Sequence, residues 1–280
     1  MLEQRVVQVN GSPYVRKYVS RDAAAREPWR YDRLVNEIRA GTRLAQVYGP
    51  RVPDELPWLV AYNIDAEEPF ALLRAYHGYP VVDQVARFGP AEQRQFEVGL
   101  FRAVHLAACA EVVHGNLSLD HLRWDAGKVQ IVDFESAARV GEPRRTGGGP
   151  VDARDDLWNA AAVLRRVVLG AVTGDPPPRA QDPERLRALL SPVFDQPVEL
   201  RPRTADMLIR LRVDPDVRGT DPEAVLAAGR AAFDRVSAAK RAPRAAEPDV
   251  PRDRPRRMLR LFFGLFVLFF VLVVIGVISQ

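Results

Sequence analysis

Cysteine is nearly absent from this sequence: Cys109 stands alone among 280 residues, which excludes an internal disulfide and any multi-cysteine metal site. It falls in an apolar helical run and reads as a core thiol in a reducing compartment. Lysine is almost as scarce. Only Lys17, Lys128 and Lys240 occur among 40 basic residues, so a lysine kept on a core-directed face draws attention. Net charge is only +4, and much of the excess lies in arginines near the C-terminus, so no basic face of the kind nucleic acid requires is indicated. His77 and His105 lack a partner at metal-ligand spacing and read as structural. Glycine-rich runs are missing ahead of Lys17, where only Gly11 occurs, and no apolar stretch behind a basic start marks a secretory signal.

What is present begins with a hairpin. Residues 5–9 and 14–19 alternate around the turn Asn10-Gly11-Ser12-Pro13, which puts Val15, Lys17 and Val19 on one face and Tyr14, Arg16 and Tyr18 on the other. Lys17 therefore points with apolar residues and needs an acidic partner. The following stretch, 29–47, has helical apolar spacing through Leu34, Ile38 and Leu44 and offers Glu37 as that partner. Two further strands are predicted at 57–65 and 69–76, completing a small lobe of about five strands and one helix over residues 1–76. Residues 77–240 read as a mainly helical large lobe, with helices predicted at 90–113, 152–169, 186–194 and 221–239.

Chemistry-bearing residues are densest between Val112 and Ala138. His114, Asn116, Asp120 and His121 fall in a short loop, followed by strand residues Leu122–Trp124, a turn and the strand 128–132. Asp133 comes just past that strand, where a carboxylate leaving an apolar run needs a cation or several hydrogen bonds. In this order the residues resemble the protein-kinase-like superfamily, in particular bacterial serine/threonine protein kinases, whose catalytic loop reads His-Arg-Asp and whose metal-binding turn reads Asp-Phe-Gly. The resemblance covers roughly residues 5 to 212 and implies an α+β, two-lobed protein-kinase-like fold. It implies roles as well: Lys17 and Glu37 as the nucleotide-side ion pair, Asn116 at the position of the catalytic base, His121 at that of a metal-binding Asn, and Asp133 as metal ligand. ATP with Mg²⁺ are the implied cofactors.

Departures from the pattern are as informative. Asn116 replaces the base, and an amide cannot accept a proton. Glu135 replaces the mobile Gly, the phosphate cradle before Lys17 is missing, and 140–151 is short, lacks Ala-Pro-Glu and holds one phosphorylatable residue, Thr146. Asp156-Leu157-Trp158 resembles the family's Asp-Val-Trp, whose Asp supports the catalytic loop from beneath. Arg201 to Leu208 resembles a stretch that opens a late kinase helix. These losses favour a regulatory pseudokinase. The other reading is an atypical kinase acting on a lipid-linked, small-molecule or protein substrate, with Asp120 as substitute base.

Residues 241–260 are rich in proline, alanine and charge and read as a linker. Residues 261–278 then carry no charge and no proline, behind Arg252, Arg254, Arg256, Arg257 and Arg260. Such a run is long enough to cross a hydrocarbon core, and the arginines place the folded part on its cytoplasmic side. The expectation is a single-pass, tail-anchored protein with the membrane and an unidentified protein as partners.

Overall fold

The computed structural model describes residues 1–144, 147, 149–171 and 174–215, all within one compact unit. Thr146, the helix expected at 221–239, the linker and the apolar run at 261–278 lie outside the described residues. No helix among the described residues is long and apolar enough to cross a membrane.

The chain opens with strands β1 (Glu3–Val9) and β2 (Ser12–Tyr18). They are joined by a two-residue turn in which Asn10 and Gly11 both have positive φ, 51° and 77°, the arrangement that matches the twist of a hairpin. Helix α1 (Arg21–Arg26) follows, its first turn capped by the Ser20 hydroxyl; the sequence reading did not anticipate it. Helix α2 (Trp29–Tyr48) buries Leu34, Glu37, Ile38 and Leu44. Its approach to the sheet depends on Gly41, where a β-carbon would lie 2.6 Å from Leu59 Cβ. Strands β3 (Leu59–Asn63) and β4 (Phe70–Arg74) complete an antiparallel sheet of order β1-β2-β4-β3. The small lobe thus holds four strands and two helices rather than five and one. The next strand, β5 (Tyr79–Pro80), pairs instead with the large lobe.

Helix α3 (Pro90–Cys109) is the large lobe's central rod: Phe96, Leu100, Phe101, Val104 and Leu106 are all buried in the main core. Beyond it come β6 (Val112–Val113), then β7 (Leu122–Asp125) and β8 (Lys128–Ile131) as a hairpin, and β9 (Ala138–Arg139), which pairs back to β6. Helices α4 (Asp155–Val168), α5 (Glu184–Phe194) and α6 (Thr204–Arg210) pack beneath. Burying each large aliphatic or aromatic side chain in this core contributes about 1.5–3 kcal/mol. His105 is structural, its Nδ1 lying 2.9 Å from Thr204 Oγ1 across the α3–α6 contact.

The two lobes meet at a connection that is tied rather than loose. The His77 N–H donates to Gln130 Oε1 (2.9 Å), while Arg123 donates to the carbonyls of His77 (3.1 Å) and Gly78 (2.7 Å).

Candidate functional site

Lys17 lies mid-strand in β2, facing the same side as Val15, and is completely buried. Its ammonium donates to Glu37 Oε2 at 2.8 Å, forms an ion pair with Asp133 Oδ1, and lies 3.6 Å from Glu135 Oε1. Three carboxylates from two separate stretches of chain therefore share one ammonium. The charge balance sets their protonation. Burial opposes the charge on Lys17, but Glu37, Tyr76, Asp133 and Glu135 outweigh it and raise the ammonium's pKa well above its ordinary value. For Glu37 burial dominates over the attraction of Lys17, and its carboxyl is raised to about 7.

Asp133 leaves β8 in left-handed backbone, φ 66° and ψ 60°, a conformation that costs a non-glycine residue free energy and occurs where surrounding structure enforces it. The enforcement is visible on both sides. Phe134 is fully buried, with its ring 4.9 Å from that of His114 in an edge-on contact. Glu135 accepts the Leu2 N–H on both carboxylate oxygens (3.0 Å each), its carbonyl accepts from Asn36 Nδ2 (2.8 Å), and Arg33 approaches its Oε2 to 3.5 Å. In sequence Glu135 reads as the loss of a glycine and, by the resemblance, as a residue also found at that place in small-molecule kinases, not as a member of the buried cluster. The one signal available was an acidic residue directly after a buried aromatic, which demands donors.

The loop at 114–121 is held from below. Buried Asp156, near the start of α4, accepts the backbone N–H groups of His114 (2.6 Å) and Gly115 (2.9 Å). Burial still raises its carboxyl to about 6 against the pull of those two donors. His114 is fully buried, with Nε2 3.0 Å from the Val132 carbonyl, and burial lowers its pKa to about 4, so it is neutral. Gly115 has φ 76°, and a β-carbon there would lie 2.8 Å from the Ser136 carbonyl oxygen, so the loop has space only for glycine.

Asn116 and Asp120 sit on the exposed side of this loop. The Asn116 N–H donates to His114 Nδ1 at 3.3 Å. Asp120 lies in the single helical turn Leu119–His121, and His121 Nδ1 is 3.0 Å from Ser118 Oγ. The structure thus gathers Lys17, Glu37 and Asp133 at one buried point and leaves Asn116, Asp120 and His121 in a partly open loop. No three His, Cys, Asp or Glu side chains among the described residues form a metal cage. Asp133 suits the way Mg²⁺ is commonly held in nucleotide sites, by one or two carboxylates together with substrate phosphates. His121 supplies a nitrogen where that ion prefers oxygen.

No family model matches the chain. Among curated proteins it is similar to the probable serine/threonine-protein kinase PkwA of Thermomonospora curvata, 23% identical over 238 residues, covering 73% of this chain and 31% of that protein. It is also similar to the DNA damage-responsive serine/threonine-protein kinase RqkA of Deinococcus radiodurans, 28% identical over 214 residues, covering 64% of this chain and 29% of that one. The chain spans less than a third of the length of these relatives. A buried lysine bridging helix α2 to the aspartate after β8 stands above a loop braced by Asp156, and the two similarities support a protein-kinase-like superfamily for this chain.

Proposed function

We propose that this chain is a membrane-tethered, catalytically impaired kinase-like protein that regulates or scaffolds a protein partner on the cytoplasmic side. The observation that carries the reading is the exposed amide of Asn116 where a proton acceptor is required, in a loop whose bracing by Asp156 is intact. Loss of general-base help alone costs about 10²–10⁴-fold. The absent glycine-rich cradle removes γ-phosphate positioning as well, which is the larger part of phosphoryl-transfer catalysis.

Nucleotide binding is compatible with this reading. Val6, cross-strand partner of Val15, is 68% exposed on the face that Lys17 shares, which leaves apolar surface on that side of the sheet. Lys17 would meet the phosphates and Asp133 a magnesium ion, the ion supplying charge neutralisation. Tethering rests on the uncharged run at 261–278 behind its arginines.

A thermal-shift titration with ATP, with and without Mg²⁺, paired with a phosphotransfer assay, tests the proposal. We expect negligible transfer to protein by wild type and by Asn116→Asp, with Asp133→Asn weakening any metal-dependent nucleotide shift. Robust wild-type turnover abolished by Asp120→Asn would make Asp120 the working base and the chain an atypical kinase.

A further inference from the structure

A second site lies in the large lobe among residues that the cleft does not use. Helices α3 and α5 and the end of α6 enclose an open cavity of about 620 Å³, within the size range of small-molecule sites. Four arginines line it, Arg94, Arg185, Arg210 and Arg212, against one acid, Glu97. Glu97 is 2% exposed and binds Arg94 (2.8 Å) and Arg185 through the same oxygen, Oε2, while Oε1 is buried without a hydrogen-bond partner. Arg94 is fixed further by donating to the Leu211 carbonyl at 2.6 Å.

A buried carboxylate under two arginines is in itself a structural device. What it leaves unexplained is the second pair. Among the described residues neither Arg210 nor Arg212 forms an ion pair, and both are exposed on the same cavity. Arg212 is also held in left-handed backbone, φ 59°. Four guanidinium groups line the cavity against one lining carboxylate, with Asp206 of α6 nearby, its carboxyl held below the ordinary range first by Arg203 and then by Arg210, so the cavity is positive, and like charges crowded together are unfavourable until an anion joins them. Guanidinium groups match phosphate oxygens in geometry as well as in charge.

We propose that this cavity binds a phosphate ester, from either a soluble phosphorylated metabolite or the headgroup of a glycerophospholipid. Arg94 and Arg185, positioned by Glu97, form one wall, and Arg210 and Arg212 close the other. The site is separate from the buried cluster of Lys17 and Asp133 and does not depend on the nucleotide reading.

The test uses the full chain in non-ionic detergent, titrated calorimetrically with inorganic phosphate, with glycerol 3-phosphate and with short-chain phosphatidylglycerol below its micellar concentration. Saturable binding that Arg185→Ala and Arg212→Ala each weaken about ten-fold or more, and that Lys128→Ala, which removes an exposed charge outside the cavity, leaves unchanged, supports the site. Tighter binding of glycerol 3-phosphate then assigns the soluble source, and tighter binding of phosphatidylglycerol the lipid. Absence of saturable binding to all three, binding unaffected by both arginine substitutions, or binding weakened equally by Lys128→Ala would overturn the proposal. Both arginines are exposed at the cavity, Arg212 pairs with no buried group among the described residues, and Glu97 keeps Arg94 when Arg185 is removed. Arg212→Glu serves as a second variant and should abolish binding.

Discussion

The two halves of the candidate site have been treated differently by the sequence. On the small-lobe side, Lys17, Glu37, Asp133 and Glu135 are buried and mutually bonded, one ammonium among three carboxylates. On the loop side, Asn116 and Asp120 are exposed and His121 is occupied with a serine. The buried half is held by its own structural cost, since removing any member strands the others in low dielectric. The exposed half is free to vary without threatening the fold. The buried charges join helix α2 and strand β2 to the stretch after β8.

The strongest way to break this comparison is Lys17→Met. It leaves three buried carboxylates without their cation, and we expect a loss of about 3–5 kcal/mol, read by denaturant unfolding; an unchanged midpoint would show that the cluster contributes little. Asp156→Ala should come next. It strands the N–H groups of His114 and Gly115, at about 1–3 kcal/mol for each buried donor left unsatisfied, and a cost below 0.5 kcal/mol would mean that the loop supports itself.

The pH dependence sharpens the contrast within the buried half. Glu37, raised to about 7 when folded, adds stability as pH falls from about 7 towards the ordinary carboxylate range and loses it as pH rises through that window. His114, lowered to about 4, acts oppositely: its contribution is present above the ordinary histidine range and is lost as pH falls towards 4. The two slopes offset one another in wild type. Glu37→Gln removes one of them, so this variant should lose stability more steeply than wild type between about pH 6.5 and 4.5; parallel profiles would refute the assignment. The smallest effect is expected at Asn116→Asp, within about 0.5 kcal/mol of wild type as for other exposed positions, and a larger change would show that the loop side carries structural weight.

Much of this was legible in the sequence, for identifiable reasons. The hairpin carrying Lys17, helix α2 with Glu37, and the β7–β8 hairpin before Asp133 are written in periodicity and turn residues, which act locally. Their meeting at one ammonium was expected only for Lys17 and Glu37. That Asp133 and Glu135 join them was not readable, because it depends on the left-handed turn at Asp133 and on Leu2, Arg33 and Asn36 arriving from elsewhere. Strand count failed for a similar reason: β5 has the local character of a strand but finds its partner in the large lobe. The arginine cavity could not be anticipated either, since α3, α5 and α6 are far apart in sequence and each presents ordinary surface arginines.

The contacts that Glu135 makes also bear on how the chain reaches its native state. Leu2 and Asn36 are joined to this residue across 133 and 99 positions, so the first strand and helix α2 close their remaining bonds only after the β7–β8 hairpin has formed. Contacts of such long sequence separation incur their closure entropy before they return any stabilisation. During synthesis the small lobe must wait, with Lys17 unpartnered by Asp133 and Glu135, until most of α3 and the loop beyond it have emerged. Closure of this contact is thereby made a late event, and hydrogen exchange during refolding should show the Leu2 amide acquiring protection after those of α3.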